Sequence, residues 1–318
     1  MIVDVNTRTW SKDTQLGPAA AEQFRRLEAE HWLRADQGSA ALLDSLACVD
    51  VAFVHGFRSS MLDANIPNEY LAELVSQHPD KLIGIAGIDP LSSTAHNELE
   101  QALEMGFSGI TVSPSMQGVH PTHSAAIRIY EACESKGMPV MVSRPAIGLA
   151  ASVLEFDRPA AWDEVARSFP QLKIVIGSLG FPWVDEALML LQKHEHVYAD
   201  LANLTKNPWA TWNALLTAQA LSEGASNVMD RLLFGSGWPA ESPAHAIETL
   251  YSLNAFSQGS HLPTIPRATI HGIIERDTLT TLGIERAPST AGPGSVHGNG
   301  STAALNMPTA STSQAALD

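Results

Sequence analysis

The sequence predicts a (β/α)8 TIM barrel, and the prediction depends on the number of apolar runs and on the segments between them. Eight short apolar runs alternate with eight longer segments in which apolar residues recur at helical spacing. No glycine-rich phosphate-binding pattern comes after the first run, which favours a closed barrel over an open doubly wound sheet. The predicted strands cover residues 2–5, 50–54, 82–88, 108–112, 138–142, 172–177, 196–201 and 231–235, and the predicted helices cover about 18–46, 65–78, 93–105, 122–136, 158–168, 182–194, 206–222 and 241–252.

Four of the apolar runs stop abruptly at small or polar residues. The first run ends at Asn6, the fifth at Ser143, the sixth at Gly177 and Ser178, and the eighth at Gly235. Buried parallel strands show this pattern where their carboxyl ends open into a site. The pattern therefore predicts a site at the C-terminal mouth of the barrel.

The barrel is predicted to occupy residues 1–286 as one domain, with a terminal helical element at 266–284. A parallel barrel of about 250 residues routinely forms one domain. Residues 287–318 are rich in Ser, Thr, Ala, Gly and Pro and carry almost no charge. Because such a composition cannot offset the entropy of ordering, these residues are predicted to form a disordered tail.

The composition excludes several classes of partner. The chain carries a formal net charge of −15, which argues against nucleic acid or an anionic membrane as a partner. Cys48 and Cys133 are its two cysteines, which favours reduced thiols over a disulfide framework. No apolar stretch reaches the roughly 18 residues that a transmembrane helix needs. The expected localisation is cytoplasmic, and the expected partners are small molecules or proteins.

Several further segments recur in the order and spacing of a known family. Together with the four strand ends, they resemble the amidohydrolase-related (amidohydrolase 2 type) barrels, which include metal-dependent hydrolases and non-oxidative aromatic-acid decarboxylases. The resemblance covers roughly residues 1–285. Its additional segments are Asn68–Gly84, Asp89–Pro90, Gly106–Ile110, Val197–Leu201 and Ile274–Asp277.

The resemblance implies a divalent metal site that this chain no longer encodes. In the family, the first strand ends in a His-x-His pair, the fifth and sixth strands each end in a His, and the eighth ends in a Gly-Ser-Asp-x-Pro turn. Such ligands bind zinc or manganese and activate a water molecule. Neutral amide and hydroxyl groups, a glycine and a permanent cation do not form a competent ligand set. The matching residues are Asn6, Arg8, Ser143, Ser178 and Gly237. We therefore expect no metal cofactor, with Zn or Mn as the alternative.

Arg8 has two interpretations. Asp4, Asn6 and Arg8 alternate along one strand, so all three are expected on one face. A buried guanidinium requires an anion. That anion is either an internal carboxylate, Asp4 or Asp200, or the carboxylate or phosphate of a ligand.

Other residues near the predicted mouth are candidates for a ligand pocket or for catalysis. His55, at the end of the second run, and Asp200, at the end of the seventh, are the candidate acid–base groups. His55 is alternatively a satisfied core histidine. Ser143 and Ser178 either contact a ligand or fill vacated space. Arg144 adds a second cation or points into a loop, and Trp10, Trp183 and Trp238 either line the pocket or pack between loops.

Two functions are consistent with the resemblance. The first is a pseudoenzyme: a barrel that has lost its metal site and binds a small carboxylated or phosphorylated molecule, or serves as an assembly subunit in a homodimer or with an active paralogue. The second is an active hydrolase or non-oxidative decarboxylase that acts on a carboxylated small molecule with an altered or metal-free site. His55, Arg8, Arg144 and Asp200 would then be the acting groups.

Overall fold

Ten strands are present in a computed structural model, which describes residues 1–10, 12–18, 21–22, 26, 38–144, 149–222 and 227–285. Eight of them are parallel neighbours in one sheet, and two form a separate hairpin. The strands are β1 (Val3–Thr7), β2 (Val51–His55), β3 (Phe57–Ser59), β4 (Ala64–Ile66), β5 (Leu82–Gly87), β6 (Gly109–Val112), β7 (Val140–Val142), β8 (Ile174–Ile176), β9 (Val197–Asp200) and β10 (Leu232–Leu233).

The large sheet closes into a barrel. Its strand order is β1-β2-β5-β6-β7-β8-β9-β10, so each strand lies beside the next one of the sheet along the chain. The backbone joins the two ends, because Val5 N donates to Phe234 O at 3.0 Å and Thr7 pairs with Trp238 in a parallel bridge. The predicted TIM barrel is therefore confirmed.

Helices alternate with the strands and cover the outside of the sheet. An apolar cluster fills the layer between sheet and helices, with Leu99, Ile129 and Leu188 among its members. No helix among the described residues is both long and apolar enough to cross a membrane. The α-helices of the described residues are Lys12–Gln15, Ser39–Ser45, Asn68–Gln77, Ala95–Glu104, Pro114–Gln117, Ser124–Lys136, Asp163–Ser168, Val184–Lys193, Pro208–Leu221, Pro243–Ser252, Arg267–Ile274 and Thr278–Leu282.

The structure departs from the sequence prediction in two places, and a third prediction lies largely outside the described residues. The antiparallel hairpin of β3 and β4 comes directly after β2, where no strand was predicted. The helix predicted at 158–168 divides into a 3-10 turn, Pro159–Trp162, and a short α-helix, Asp163–Ser168. Much of the helix predicted at 18–46 lies outside the described residues.

Contacts along the chain separate Met1–Ala287 from Pro288–Asp318. The second of these units, and with it the predicted disordered tail, lies outside the described residues.

A second apolar cluster lies inside the barrel. Alternate residues of the strands contribute to it, such as Val51, Phe53 and Val175. Leu279 and Leu282 from the terminal helical element belong to the same cluster. The terminal element therefore packs against the barrel interior, which leaves the opposite end as the polar mouth.

Strand β1 breaks its alternation just before the mouth. Asp4 pairs with Ala52 and Thr7 pairs with Val54, so three steps along β1 match two steps along β2. An extra residue of this kind is a β-bulge, which moves the following side chains to the other face. Val5 accordingly packs in the inner cluster while its neighbour Asn6 also reaches an inward-facing residue, Asp200. The expectation that Asp4 shares a face with Asn6 and Arg8 is wrong for Asp4.

Candidate functional site

A hydrogen-bond network joins β1, β7 and β9 at the C-terminal mouth. Arg8 Nη1 donates to Asn6 Oδ1 at 2.9 Å, and Arg8 Nη2 donates to Ser143 Oγ at 2.7 Å. The amide of Asn6 in turn donates to Asp200 Oδ2 at 2.9 Å. Arg8 therefore reaches the carboxylate of Asp200 through Asn6, and it contacts neutral oxygens directly.

Asp200 is held as an acceptor by three N–H groups. Besides the Asn6 amide, the backbone N–H groups of Ser178 and Ala202 each donate to Asp200 Oδ1 at 2.9 Å. Burial raises the pKa of Asp200, while these hydrogen bonds and the charge of Arg8 oppose the increase. Both oxygens of this candidate catalytic carboxylate are engaged by the protein itself.

The guanidinium of Arg8 remains charged near neutral pH. Burial lowers its pKa to about 10, and the negative charge of Asp200 opposes this decrease. The side chain is half-buried, whereas Asn6 and Ser143 are buried. The network thus presents a permanent cation to the mouth of the barrel.

Ser178 and Gly237 contribute through their backbones. Ser178 has a positive φ of 53°, and its N–H is directed at Asp200. Gly237 has a φ of 78°, and its N–H donates to Asn6 O at 2.9 Å. A Cβ built on Gly237 would lie 2.5 Å from the side chain of Asn203, so the space of a side chain here is already taken.

His55 is enclosed in the barrel interior. Its Nε2 donates to the carbonyl oxygen of Val5 at 2.7 Å, because a carbonyl can only accept, and Nδ1 then accepts from the Thr111 hydroxyl at 2.9 Å. The residue is 1% exposed, and burial together with the charge of Arg8 lowers its pKa to about 3. Both ring nitrogens are used within the protein, which is the arrangement of a satisfied core histidine.

Asp4 is a second buried carboxylate beneath the mouth. Its Oδ1 accepts backbone N–H groups from Asn6 at 3.1 Å and from Ser236 at 2.9 Å. Burial raises the pKa of Asp4 to about 7, against the effect of these hydrogen bonds. Asp4 therefore joins the ends of β1 and β10, and among the described contacts it does not pair with Arg8.

Arg144 lies in a separate part of the mouth. Its guanidinium carbon is 5.4 Å from the ring centre of Trp183, and its Nε is 3.9 Å from Oδ1 of Asp157. Burial lowers the pKa of Arg144, and Asp157 is the largest of the charges that oppose the shift. Sequence reasoning missed Asp157, because it lies in a 3-10 turn without a periodic pattern.

The three tryptophans have different environments. Trp10 and Trp238 are buried in the outer apolar cluster, as expected for packing between loops. Trp183 is half-buried and contacts the side chains of both Arg144 and Arg158. Of the three, Trp183 is the one positioned beside the charged groups of the mouth.

The donor groups at the mouth do not fit a divalent cation. The Asn6 and Ser143 oxygens, which stand at two of the family's ligand positions, already accept hydrogen bonds from Arg8. Within the described ranges, no three His, Cys, Asp or Glu residues are grouped so that they could bind one metal ion. A guanidinium among the ligand positions would also repel a dication.

Comparison with known proteins assigns the family. An amidohydrolase family model matches residues 13–265, which is most of the chain, so the protein belongs to the amidohydrolase family. The predicted family resemblance is therefore confirmed. No curated protein sequence matches the chain.

Solved structures share the fold at low sequence identity. An uncharacterized TIM-barrel protein from Bordetella bronchiseptica has a TM-score of 0.69 at 20% identity, over 89% of this chain and 99% of the other. A dihydroxybenzoic acid decarboxylase from Polaromonas, with bound manganese and 2-nitroresorcinol, has a TM-score of 0.63 at 15% identity, over 90% and 98%. The 5-carboxyvanillate decarboxylase from Sphingomonas paucimobilis has a TM-score of 0.62 at 12% identity, over 89% and 99%. At these identities the likeness establishes the fold alone.

Proposed function

We propose that this amidohydrolase-family barrel is a pseudoenzyme that binds a small carboxylated molecule at its C-terminal mouth without a resident divalent metal. The guanidinium of Arg8 takes the electrostatic role that the metal has in the family. The protein then acts by binding, with the fold conserved and the hydrolytic chemistry lost.

The position of Arg8 between two neutral acceptors carries this proposal. A guanidinium has five N–H donors in a planar fork, and Asn6 and Ser143 engage one each. Asp200 is separated from Arg8 by Asn6, and its charge is shared among three N–H donors. Within the described part of the chain, Arg8 therefore keeps both positive charge and donors that can meet a ligand carboxylate in bidentate geometry.

The states of the two candidate acid–base residues support binding over catalysis. His55 uses both ring nitrogens within the barrel, and a pKa lowered to about 3 keeps it neutral at physiological pH. Asp200 accepts hydrogen bonds on both oxygens. Neither residue offers a group poised for proton transfer to a ligand.

A metal-dependent hydrolase or decarboxylase is the competing function, because the structural relatives include a decarboxylase with bound manganese. The two functions predict opposite responses to metal. An enzyme of that kind should bind Mn²⁺ or Zn²⁺ stoichiometrically and lose thermal stability when it is treated with EDTA. A metal-free carboxylate-binding barrel should bind benzoate or acetate. It should not bind Mn²⁺ or Zn²⁺ stoichiometrically, and EDTA should not lower its thermal stability.

Binding measurements on the full chain test the proposal. We expect calorimetry to detect benzoate or acetate with the wild-type protein and the substitution R8M to weaken it by roughly tenfold to a hundredfold, since a hydrogen bond to a charged group contributes about 1.5–3 kcal/mol. R8K, which retains the charge and loses the fork, should lie between the two. R167M is the matched control, because Arg167 lies on an outer helix with a largely exposed side chain.

Three outcomes would overturn the proposal. The first is wild-type protein that binds no carboxylate. The second is R8M that binds as well as R167M. The third is stoichiometric Mn²⁺ or Zn²⁺ found in the purified protein by elemental analysis. Tighter binding of inorganic phosphate than of the carboxylates would instead assign the site to phosphorylated ligands and overturn the carboxylate assignment.

A further inference from the structure

A small cleft lies beside the Arg8 network. It has a volume of about 100 Å³ and is lined by Arg144, Ser178, Phe181, Asn203, Lys206 and Asn207. Ser178 belongs to both places, because its backbone N–H holds Asp200 while the residue also lines the cleft. Arg144 directly follows Ser143, whose hydroxyl accepts from Arg8. Arg8 and Arg144 therefore both follow the carboxyl end of a strand, at the same end of the barrel.

Arg144 is a buried cation without hydrogen bonds on two of its nitrogens. The residue is 8% exposed, and neither Nε nor Nη1 has a hydrogen-bond partner among the described residues. Asp157 Oδ1, at 3.9 Å, is beyond hydrogen-bond distance. Burying a charged group without hydrogen bonds is unfavourable, so a guanidinium in this state favours the arrival of an acceptor.

The ring of Trp183 orients the Arg144 side chain but accepts no hydrogen bond from its Nε or Nη1. The ring of Trp183 lies 5.4 Å from the guanidinium carbon, close enough for a cation–π interaction. This contact restricts the plane of the fork and provides no oxygen acceptor. Arg144 is therefore held in place while Nε and Nη1 form no hydrogen bond with any residue that the structure describes.

The other charges around the cleft leave room for an anion. Three carboxylates act on Arg144 electrostatically: Asp157, Asp200 and Glu186. Burial raises the pKa of Asp157, the charge of Arg144 opposes this increase, and Glu186 is paired with Arg158. Asp200 is shared among three donors. Lys206 places a further cation at the lining of the cleft.

We propose that this cleft is a second anion subsite and that the ligand is a small dicarboxylate, with one carboxylate on Arg8 and the other on Arg144. This inference rests on the proposed carboxylate-binding function and specifies its ligand class. Arg144 is then the residue that selects dicarboxylates over monocarboxylates. The small volume of the cleft admits a carboxylate group and excludes a large substituent.

Matched pairs of ligands test this inference by calorimetry on the full chain. The pairs are butyrate with succinate and benzoate with isophthalate, and glutarate and adipate vary the distance between the carboxylates. We expect the better dicarboxylate of the series to bind at least tenfold more tightly than its monocarboxylate partner. R144M should reduce that ratio toward one, and R144K, which keeps the charge without the fork, should give an intermediate ratio.

Arg158 supplies the matched control. It also lies near the Trp183 ring, at 6.0 Å, but its side chain is 40% exposed and it pairs with Glu186. R158M should therefore preserve the wild-type ratio of dicarboxylate to monocarboxylate affinity. Thermal melts of R144M and R144K show whether either variant fails to fold. The affinity ratio is then taken from the variant that folds.

The outcomes separate this inference from the proposed function. If R8M abolishes binding of both ligand types while R144M and R144K leave the ratio unchanged, the dicarboxylate assignment is wrong and the proposed function stands. If wild-type protein binds no carboxylate at all, both fail. If 3-phosphonopropionate binds more tightly than succinate and depends on Arg144, the subsite accepts a phosphonate in preference to a carboxylate, and the dicarboxylate assignment is overturned.

Discussion

The Nη1 atom of Arg8, which directly follows β1, lies 2.9 Å from Oδ1 of Asn6, two residues back along the chain. These are the two positions at which the family resemblance implies a His-x-His pair. The side chain at the second position thus donates a hydrogen bond to the side chain at the first. The amide of Asn6 donates to Asp200 Oδ2 at 2.9 Å, so Arg8, Asn6 and Asp200 form one chain of hydrogen bonds at the mouth.

Removing the amide of Asn6 should destabilise the barrel. In N6A, Asp200 Oδ2 and Arg8 Nη1 both lose a partner. A buried group left without a hydrogen bond costs about 1–3 kcal/mol, more if charged. We expect the free energy of unfolding to fall by about 2–4 kcal/mol, measured by urea denaturation. S143A removes only the acceptor of Arg8 Nη2 and should lower it by about 1 kcal/mol. Equal losses in the two variants would contradict the linking role of Asn6.

A side chain at Gly237 should be tolerated poorly. The residue has a positive φ of 78°, and a Cβ would lie 2.5 Å from the Asn203 side chain. G259A is the control for the backbone alone, since Gly259 has a φ of 72° with no atom within 4 Å of its Cβ position. A left-handed conformation costs an L-residue about 1–2 kcal/mol. We expect G237A to lower the free energy of unfolding by more than G259A does.

Removing the Asn203 side chain, which a Cβ at position 237 would meet, provides a second comparison between G237A and G259A. N203G removes the side chain that the new Cβ would meet, and glycine tolerates the positive φ of 60° at that position. In the N203G background, G237A should lose no more stability than G259A. A difference that persists there would show that Asn203 is not the cause. The same collision predicts that G237D alone does not restore a metal ligand, as Zn²⁺ titration would measure.

Asp4 should make stability depend on pH in the direction opposite to a typical carboxylate. Its pKa is raised from 3.8 to about 7, so the folded protein retains a proton that the unfolded chain has released. The contribution of Asp4 to the free energy of unfolding is fully present below pH 3.8 and is lost as pH rises through about 7. The stability of the wild type minus that of D4N should therefore fall between about pH 4 and 7, by up to roughly 1.4 kcal/mol per pH unit. Urea denaturation at three pH values measures this difference, and a flat difference would contradict it.

His55 should act in the opposite direction over an overlapping range. Its pKa is lowered from 6.5 to about 3, so between these pH values His55 is protonated in the unfolded chain and neutral in the folded protein. The contribution of His55 to the free energy of unfolding is present above pH 6.5 and is lost as pH falls toward about 3. The stability of the wild type relative to H55Q should therefore decrease on acidification below pH 6.5. H271Q, at an exposed histidine, is the control, and an identical acid dependence in both variants would disprove the assignment.

The sequence by itself determined the fold and the family. Eight apolar runs alternating with helical segments are local patterns, and the periodicity of side chains along a strand or helix requires no knowledge of distant contacts. The unusual residues at the strand ends, such as Asn6, Ser143 and Gly237, could also be found from the sequence, because parallel strands bring their carboxyl ends to one side. Hairpin β3–β4 could not, since its strands are only three residues long.

Tertiary structure alone decided which side chains act together. The Asn6–Asp200 hydrogen bond joins residues 194 positions apart, and the Arg8–Ser143 hydrogen bond joins residues 135 positions apart. A register shift on β1 moved Asp4 off the face that alternation predicts. The partners of His55 and the environment of the Arg144 guanidinium also depend on neighbouring strands and loops. Hydrogen bonds are satisfied in space, and a local pattern of residue types does not specify the distant group that will satisfy them.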